Sequence, residues 1–196
     1  MNLPAPFQAA CERWEKSPTE HCLYVNIAEQ TLTHFHDRFA QILVTSTAVH
    51  GAGQKKDSNT TPLGLHRIAE KIGENEPNGT IFKGRKAVAT NGRGNPNAMI
   101  TDRILWLEGL EPNFNRGGDV DSHQRYIYIH GIGDESRLGQ PNSQGCIHLA
   151  AAVLLPLFDQ IAIGTLVYIS ENWLLEHAPL RYCSPHMSLP EQMTAL

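Results

Sequence analysis

A chain of 196 residues with 16 basic and 20 acidic side chains has a net charge of −4 and no stripe of Lys or Arg, which sets aside nucleic acid as a partner. The length fits one domain, which buries on the order of 70% of its extended-chain surface without help from disulfides. The 4 cysteines, Cys11, Cys22, Cys146 and Cys183, form no C-x-x-C pair and no regular spacing, so reduced thiols are expected, not a disulfide framework or a zinc knuckle.

The first residues, MNLPAPFQAACERWEK, carry no basic region followed by a continuous apolar run, and nowhere does an apolar stretch reach the length of a bilayer crossing. A cytoplasmic protein with no membrane partner is the expectation. Phe7, Ala10, Cys11 and Trp14 recur at helical spacing, which predicts a short amphipathic helix over residues 5–16 that stops before Ser17-Pro18. From Cys22 the period changes to two. Leu23, Val25 and Ile27 alternate with Tyr24 and Asn26, and residues 31–36 and 40–46 continue the pattern as a β-meander. Residues 51–59 form a polar loop leading to the turn Thr61-Pro62-Leu63-Gly64, where Pro sets φ and Gly releases it. A short strand is expected at residues 80–83, between loops at 73–79 and 91–98, and further strands at 99–108 and 126–130. In the last of these, Ile127 and Ile129 take one face and Tyr126, Tyr128 and His130 the other. Leu149, Val153, Leu154, Leu157 and Ile161 predict a helix over residues 149–161 behind the sheet, kinked or restarted at Pro156 and ended by Gly164. Residues 165–169 read as the strand that closes the sheet. The expected organisation is a helical extension (residues 1–20), one domain (21–170), and a short helix with a Pro-containing tail (171–196).

Between His130 and that helix lies the stretch that carries chemistry, Y-I-Y-I-H-G followed by a Gly/Pro/Asn-rich loop and Ser143-Gln144-Gly145-Cys146. An ordinary thiol, with a pKa of about 8.5, is only a few per cent ionised near neutrality, so a nucleophilic cysteine needs a base at hand. His130, at a strand end before Gly131, is the candidate base, its tautomer fixed by a backbone carbonyl or by the Tyr128 hydroxyl. Gly145 lets the chain turn sharply under the thiol and lets a carbonyl approach the backbone, whose amides are placed to hold an oxyanion. Cys11, Cys22 and Cys183 read as structural. His148 and His123 have neither the spacing nor the fourth ligand of a metal site, so no metal and no cofactor is expected. His66, just after the T-P-L-G turn, is a candidate for lining the cleft, whereas Lys55 and Lys56 read as a solvated loop.

The order I-H-G, S-x-G-C-I and G-T-L-V-Y-I, together with T-P-x-G at residues 61–64, resembles the L,D-transpeptidase (YkuD-like) catalytic domain over roughly residues 22–170. The resemblance implies a mainly β fold with minor α content: a sandwich or barrel-like sheet, one helix behind the cysteine loop and a short N-terminal helix. It also implies that Cys146 forms a thioester with a peptidoglycan stem peptide, at the bond between the L-centre of diaminopimelate and a D-residue. In that scheme His130 is the base, and Ser143 and Gly145 support the site. Substrate contacts are expected from Arg125, Gly131, Gln144, His148, Tyr128 and His66. Two positions depart from the family pattern. Gln144 stands where His is common, and His148 where Arg or Asn is common. The second departure moves the expected carboxylate contact to Arg125, with Arg103 and Arg116 behind it, because guanidinium groups bind carboxylates in bidentate fashion. Combined with a cytoplasmic location, the resemblance implies an L,D-carboxypeptidase that trims terminal D-Ala from tetrapeptide muropeptides in wall recycling. A cross-linking L,D-transpeptidase and an inactive muropeptide-binding module are the alternatives, and a covalent carbapenem adduct on Cys146 separates the last of these from the other two.

Overall fold

The computed structural model describes residues 1–171 and the backbone of residues 181–182. In chain order it contains α1 (Ala5–Arg13), β1 (His21–Asn26), β2 (Thr31–His36), β3 (Phe39–Ser46), β4 (Gly64–Ile72), β5 (Ile81–Lys83) and β6 (Lys86–Ala89). Then follow β7 (Thr101–Gly109), β8 (Tyr128–Gly131), β9 (Ile147–Leu149), α2 (Ala151–Gln160), β10 (Leu166–Ser170) and β11 (Arg181–Tyr182).

The expected meander is present, with β1, β2 and β3 as antiparallel neighbours. From β3 the pairing continues through β9, β8, β7, β4 and β10 and returns to β1, so the sheet closes on itself like a barrel. Closure satisfies backbone groups that an open sheet leaves unpaired at its edges. The β5–β6 hairpin hangs from β7, and β11 pairs with β3. The fold is therefore mainly β with two helices among the described residues, as the sequence pattern implies.

Period-two alternation accounts for the core. Leu23, Val25, Leu105, Leu107, Ile129, Ile147, Val167 and Ile169 form one cluster with Leu154, Leu157 and Phe158 of α2. Full burial of each such side chain is worth roughly 1.5–3 kcal/mol. The α1 stripe packs elsewhere on the sheet: Phe7 and Cys11 meet Tyr24, Leu65 and Leu166, with Ala10 and Trp14 half-buried beside them. No helix among the described residues is long and apolar enough to cross a membrane.

Several expectations change. Residues 64–72, unassigned from the sequence, form the 9-residue strand β4 that joins β10 to β7 and so closes the sheet. A register shift between Ile68 and Glu70 breaks its alternation, which hides the period-two signal. Pro156 neither kinks nor restarts α2, which runs unbroken from Ala151 to Gln160. The donor it removes would have served the carbonyl of Ala152, an exposed residue where water can substitute. The helix stops at Gln160, and Gly164, at φ +94°, makes the turn into β10 instead, its N–H bonded to the Ile68 carbonyl at 2.8 Å. β8 starts at Tyr128, because Tyr126 adopts φ +58° and leaves the alternation. The helix and tail expected beyond residue 171 lie outside the described residues, apart from β11.

Candidate active site

β8 and β9 run parallel, pairing His130 with His148 and Gly131 with Leu149. Side chains two apart on a strand share a face, so Cys146 and Tyr128 lie on the same face as both histidines. Extending that register by one step sets Cys146 opposite Tyr128 and diagonal to His130. Nδ1 of His130 donates to the Gly131 carbonyl at 2.7 Å. That bond fixes the tautomer and leaves Nε2 as the basic nitrogen, without a partner among the described residues. Of the two orienting groups anticipated, the carbonyl is the one used. The Tyr128 hydroxyl instead accepts from Nη1 of Arg85 at 3.2 Å.

The cysteine loop is held by its own signature residues. Gly145 has φ +127°, and a Cβ there would stand 3.1 Å from Cδ1 of Ile127 and 3.2 Å from the Thr60 carbonyl oxygen. The Ser143 hydroxyl donates to the Cys146 carbonyl at 2.6 Å and accepts from the Gly145 N–H at 3.2 Å, so it braces the turn from inside. Thr61, of the T-P-L-G turn, donates its hydroxyl to the Gly145 carbonyl at 3.1 Å. The turn that begins β4 is thus tied directly to the loop that presents the thiol. Because Ser143 takes up the Gly145 amide, the free oxyanion donor narrows to the Cys146 N–H, which has no partner among the described residues.

Cys146 is half-buried at the edge of the cluster formed by Phe82, Ile104, Trp106 and Tyr128, with its Sγ 3.5 Å from the Tyr126 carbonyl oxygen. This burial pushes the thiol up to about 11, against smaller opposing effects from a backbone hydrogen bond at Tyr128 and the Arg125 charge. His130, 2% exposed, is lowered to about 4 by burial, opposed by its bond to Gly131. The proton therefore rests on sulfur, and the candidate base on the same face of the sheet is a neutral imidazole.

The remaining expected residues divide. His148 is buried against His130, ring centroids 4.7 Å apart, with Nδ1 bonded to Oδ1 of Asn142 at 2.8 Å. Burial, with His130 adding to it, lowers His148 to about 2, so it is a neutral packing partner of the candidate base. Gly131 sits where a Cβ would come within 2.8 Å of Thr101 atoms, keeping β8 tight against β7. Gln144 and Arg125 line a cavity of about 150 Å³ with Lys56, Asp57, Gln124 and Tyr126. Arg125 spends its guanidinium on the carbonyls of Gly53 (3.1 Å), Gln54 (2.8 Å) and Thr60 (2.7 Å), holding the 51–60 loop against Gly145. Arg103 is buried and bonded to the Asp102 carbonyl, and Arg116 pairs with Glu108. His66 does not line the cleft: it is fully buried, with Nδ1 at 3.0 Å from the Gly64 carbonyl and Nε2 at 2.9 Å from the Ser122 hydroxyl. Sequence reasoning missed the wall that Phe82 and Trp106 bring up beside Cys146, and Arg85, which the β5–β6 hairpin lays over Trp106. The signal available was the hairpin turn K-G-R-K, with its Gly at a position of positive φ.

A half-buried thiol, an imidazole with a fixed tautomer and a free backbone amide, all on a closed β-sheet, define the class: a β-barrel protein with a candidate cysteine acyl-transfer site. The sequence signature of the L,D-transpeptidase catalytic domain (YkuD) matches residues 20–169, and the chain belongs to that family. Among solved structures, L,D-transpeptidase 3 from Mycobacterium tuberculosis aligns with a TM-score of 0.51 at 15% identity, over 80% of this chain and 63% of that one. The L,D-transpeptidase from Mycobacterium smegmatis aligns with a TM-score of 0.48 at 15% identity, over 77% of this chain and 58% of that one. The catalytic domain of the Enterococcus faecium L,D-transpeptidase, acylated by ertapenem, aligns with a TM-score of 0.48 at 15% identity, over 79% of this chain and 99% of that one. The chain spans about three-fifths of the length of the two mycobacterial structures. At 15% identity the likeness to L,D-transpeptidase 3 is one of fold. No curated protein matches the sequence.

Proposed function

We propose that the protein is a cysteine enzyme of peptidoglycan stem peptides, and that it works as an L,D-carboxypeptidase on tetrapeptide muropeptides. The observation that carries this reading is the committed Nδ1 of His130, which leaves Nε2 as the base on the face that bears Cys146. Nε2 takes the thiol proton as Sγ attacks the diaminopimelate carbonyl, and the Cys146 N–H stabilises the oxyanion. The C–N bond then breaks, the imidazolium returns its proton to the departing D-Ala amine, and a thioester remains. Water, deprotonated by the same nitrogen, attacks the thioester carbonyl and releases the tripeptide, and the proton returns to sulfur. With the thiol at about 11 and the imidazole at about 4, no ion pair is stored beforehand, and proton transfer accompanies attack.

What supports hydrolysis over cross-linking is the setting, because a cross-link needs acceptor stems of the assembled wall outside the membrane. The proposed setting is the cytoplasm, a reducing compartment that suits the free thiols of Cys11, Cys22 and Cys146. Cell fractionation of the native gene product tests that location. The second reading, cross-linking, is favoured by the family, whose signature is that of a transpeptidase domain. A defined diaminopimelate tetrapeptide, given with and without an acceptor stem peptide and resolved by mass, separates the two. Tripeptide in both mixtures supports the carboxypeptidase, and dimer with little tripeptide overturns it. Cys146→Ser is expected to abolish thioester formation, and His130→Ala to lower turnover by roughly 10² to 10⁴.

A further inference from the structure

The β5–β6 hairpin carries Lys83, Arg85 and Lys86 within one turn, in a chain whose net charge is −4. Gly84 and Arg85 have φ of +54° and +66°, the pattern of a tight hairpin turn in which a glycine would fit the second position more easily than arginine. The side chain placed there reaches the candidate site. Its guanidinium lies 4.6 Å from the Trp106 ring centre and 5.0 Å from that of Tyr126, and donates to the Tyr128 hydroxyl at 3.2 Å. Trp106 and Tyr128 belong to the apolar cluster against which Cys146 packs.

Arg85 has five N–H donors and uses one of them on a neutral hydroxyl. It forms no ion pair among the described residues, and Glu70, the carboxylate whose field reaches it, bonds Nε2 of His123 at 3.2 Å. Arg125, by contrast, is occupied by three backbone carbonyls. A guanidinium seated over two aromatic rings, with no carboxylate paired to it among the described residues, is built to receive one. We propose that Arg85 is the substrate-binding residue for a stem-peptide carboxylate flanking the scissile bond, supplied either by the terminal D-residue or by the diaminopimelate side chain. The assignment deepens the carboxypeptidase reading and rests on it.

The test compares wild type, Arg85→Gln and Arg85→Lys on three tetrapeptides: the free acid, the C-terminal carboxamide and the peptide amidated on the diaminopimelate side chain. Arg85→Gln is expected to lower kcat/KM on the free acid by about 10- to 100-fold, mostly through KM, the size of a lost charge-assisted pair. On whichever amide lacks the bound carboxylate, wild type and Arg85→Gln should turn over alike, which also identifies the carboxylate. Arg85→Lys, which keeps the charge and loses the fork, should fall between them. An equal loss on all three peptides, or none on any, overturns the proposal, because a merely structural brace does not distinguish an acid from its amide. If wild type releases no tripeptide, the carboxypeptidase reading fails on its own. Arg85 is then judged by the rate at which a carbapenem, itself a carboxylate, acylates Cys146: slower acylation of Arg85→Gln sustains the anion site and an unchanged rate removes it.

Discussion

At Cys146 and His130, burial sets the resting protonation, and the consequence is measurable. The thiol stands at about 11 and the imidazole at about 4, so between these values the site holds a thiol and a neutral base. Thiolate then grows about tenfold for each pH unit below 11. Alkylation of Cys146 by iodoacetamide, followed by site-resolved mass spectrometry, should therefore keep rising from pH 7 to pH 10 without a plateau. A plateau near pH 6 would mean that His130 and Cys146 form a stored ion pair, contrary to the burial described. Ser143 makes a second case. Its hydroxyl serves the Cys146 carbonyl and the Gly145 amide at once, and it is 3% exposed. Ser143→Ala leaves both groups without that partner and should cost roughly 1–3 kcal/mol in urea unfolding, with a drop in acylation rate as the loop loosens. If only activity falls and stability is unchanged, Ser143 touches substrate instead of bracing the turn.

At the scale of elements, α2 is held at both ends by side chains from other parts of the fold. Oε1 of Glu135 accepts from the Ala151 N–H at 2.7 Å at its start, and Nζ of Lys71, on β4, donates to the carbonyls of Phe158 (2.6 Å) and Ile161 (2.8 Å) at its end. An anion at the N-terminus and a cation at the C-terminus both suit the helix dipole. Lys71→Met should destabilise the protein by roughly 1–3 kcal/mol in a denaturant titration while leaving the Cys146 loop, on the other side of β9, reactive toward a carbapenem. A neutral result would show that water serves those carbonyls as well. These supports also mark how far the sequence could be read. β1 to β3 and the signature Ser143-Gln144-Gly145-Cys146 were legible because each is made by neighbours: alternation in the strands, and a Ser and a Gly within one turn in the loop. β4 was not, since its register shift spoils the period, and neither was the unbroken passage of α2 through Pro156. Arg125 drew attention by its nearness to the base strand, yet its guanidinium is claimed by Gly53, Gln54 and Thr60, contacts that no local spacing discloses. Arg85 went unread for the converse reason, because a hairpin brings it from far along the chain to Trp106 and Tyr128, members of the cluster that Cys146 packs against.

For the whole molecule, the fold buries several histidines, and their neutrality ties stability to pH. His34, His66 and His130 are lowered to about 4 and His148 to about 2, in each case first by burial. In the unfolded chain each returns to about 6.5, so below that value the unfolded state binds more protons than the folded one. Stability from these groups is fully present above pH 6.5 and is lost as pH falls toward 4. For His66, fully buried between the Gly64 carbonyl and Ser122, a gap of about two and a half pH units corresponds to on the order of 3 kcal/mol. Domains of ordinary stability hold about 5–15 kcal/mol, so the loss of two such contributions is enough to unfold many of them. The urea midpoint should therefore be level from pH 8 to pH 7, fall steeply from pH 6.5 to pH 4.5, and end in cooperative acid unfolding. His66→Gln, which can keep a hydrogen bond without titrating, should start from a lower midpoint at pH 7 and decline less steeply with acid. A midpoint that stays constant down to pH 5 would mean that these imidazoles are protonated in the folded state, and with them the proton inventory assigned to His130 would fall.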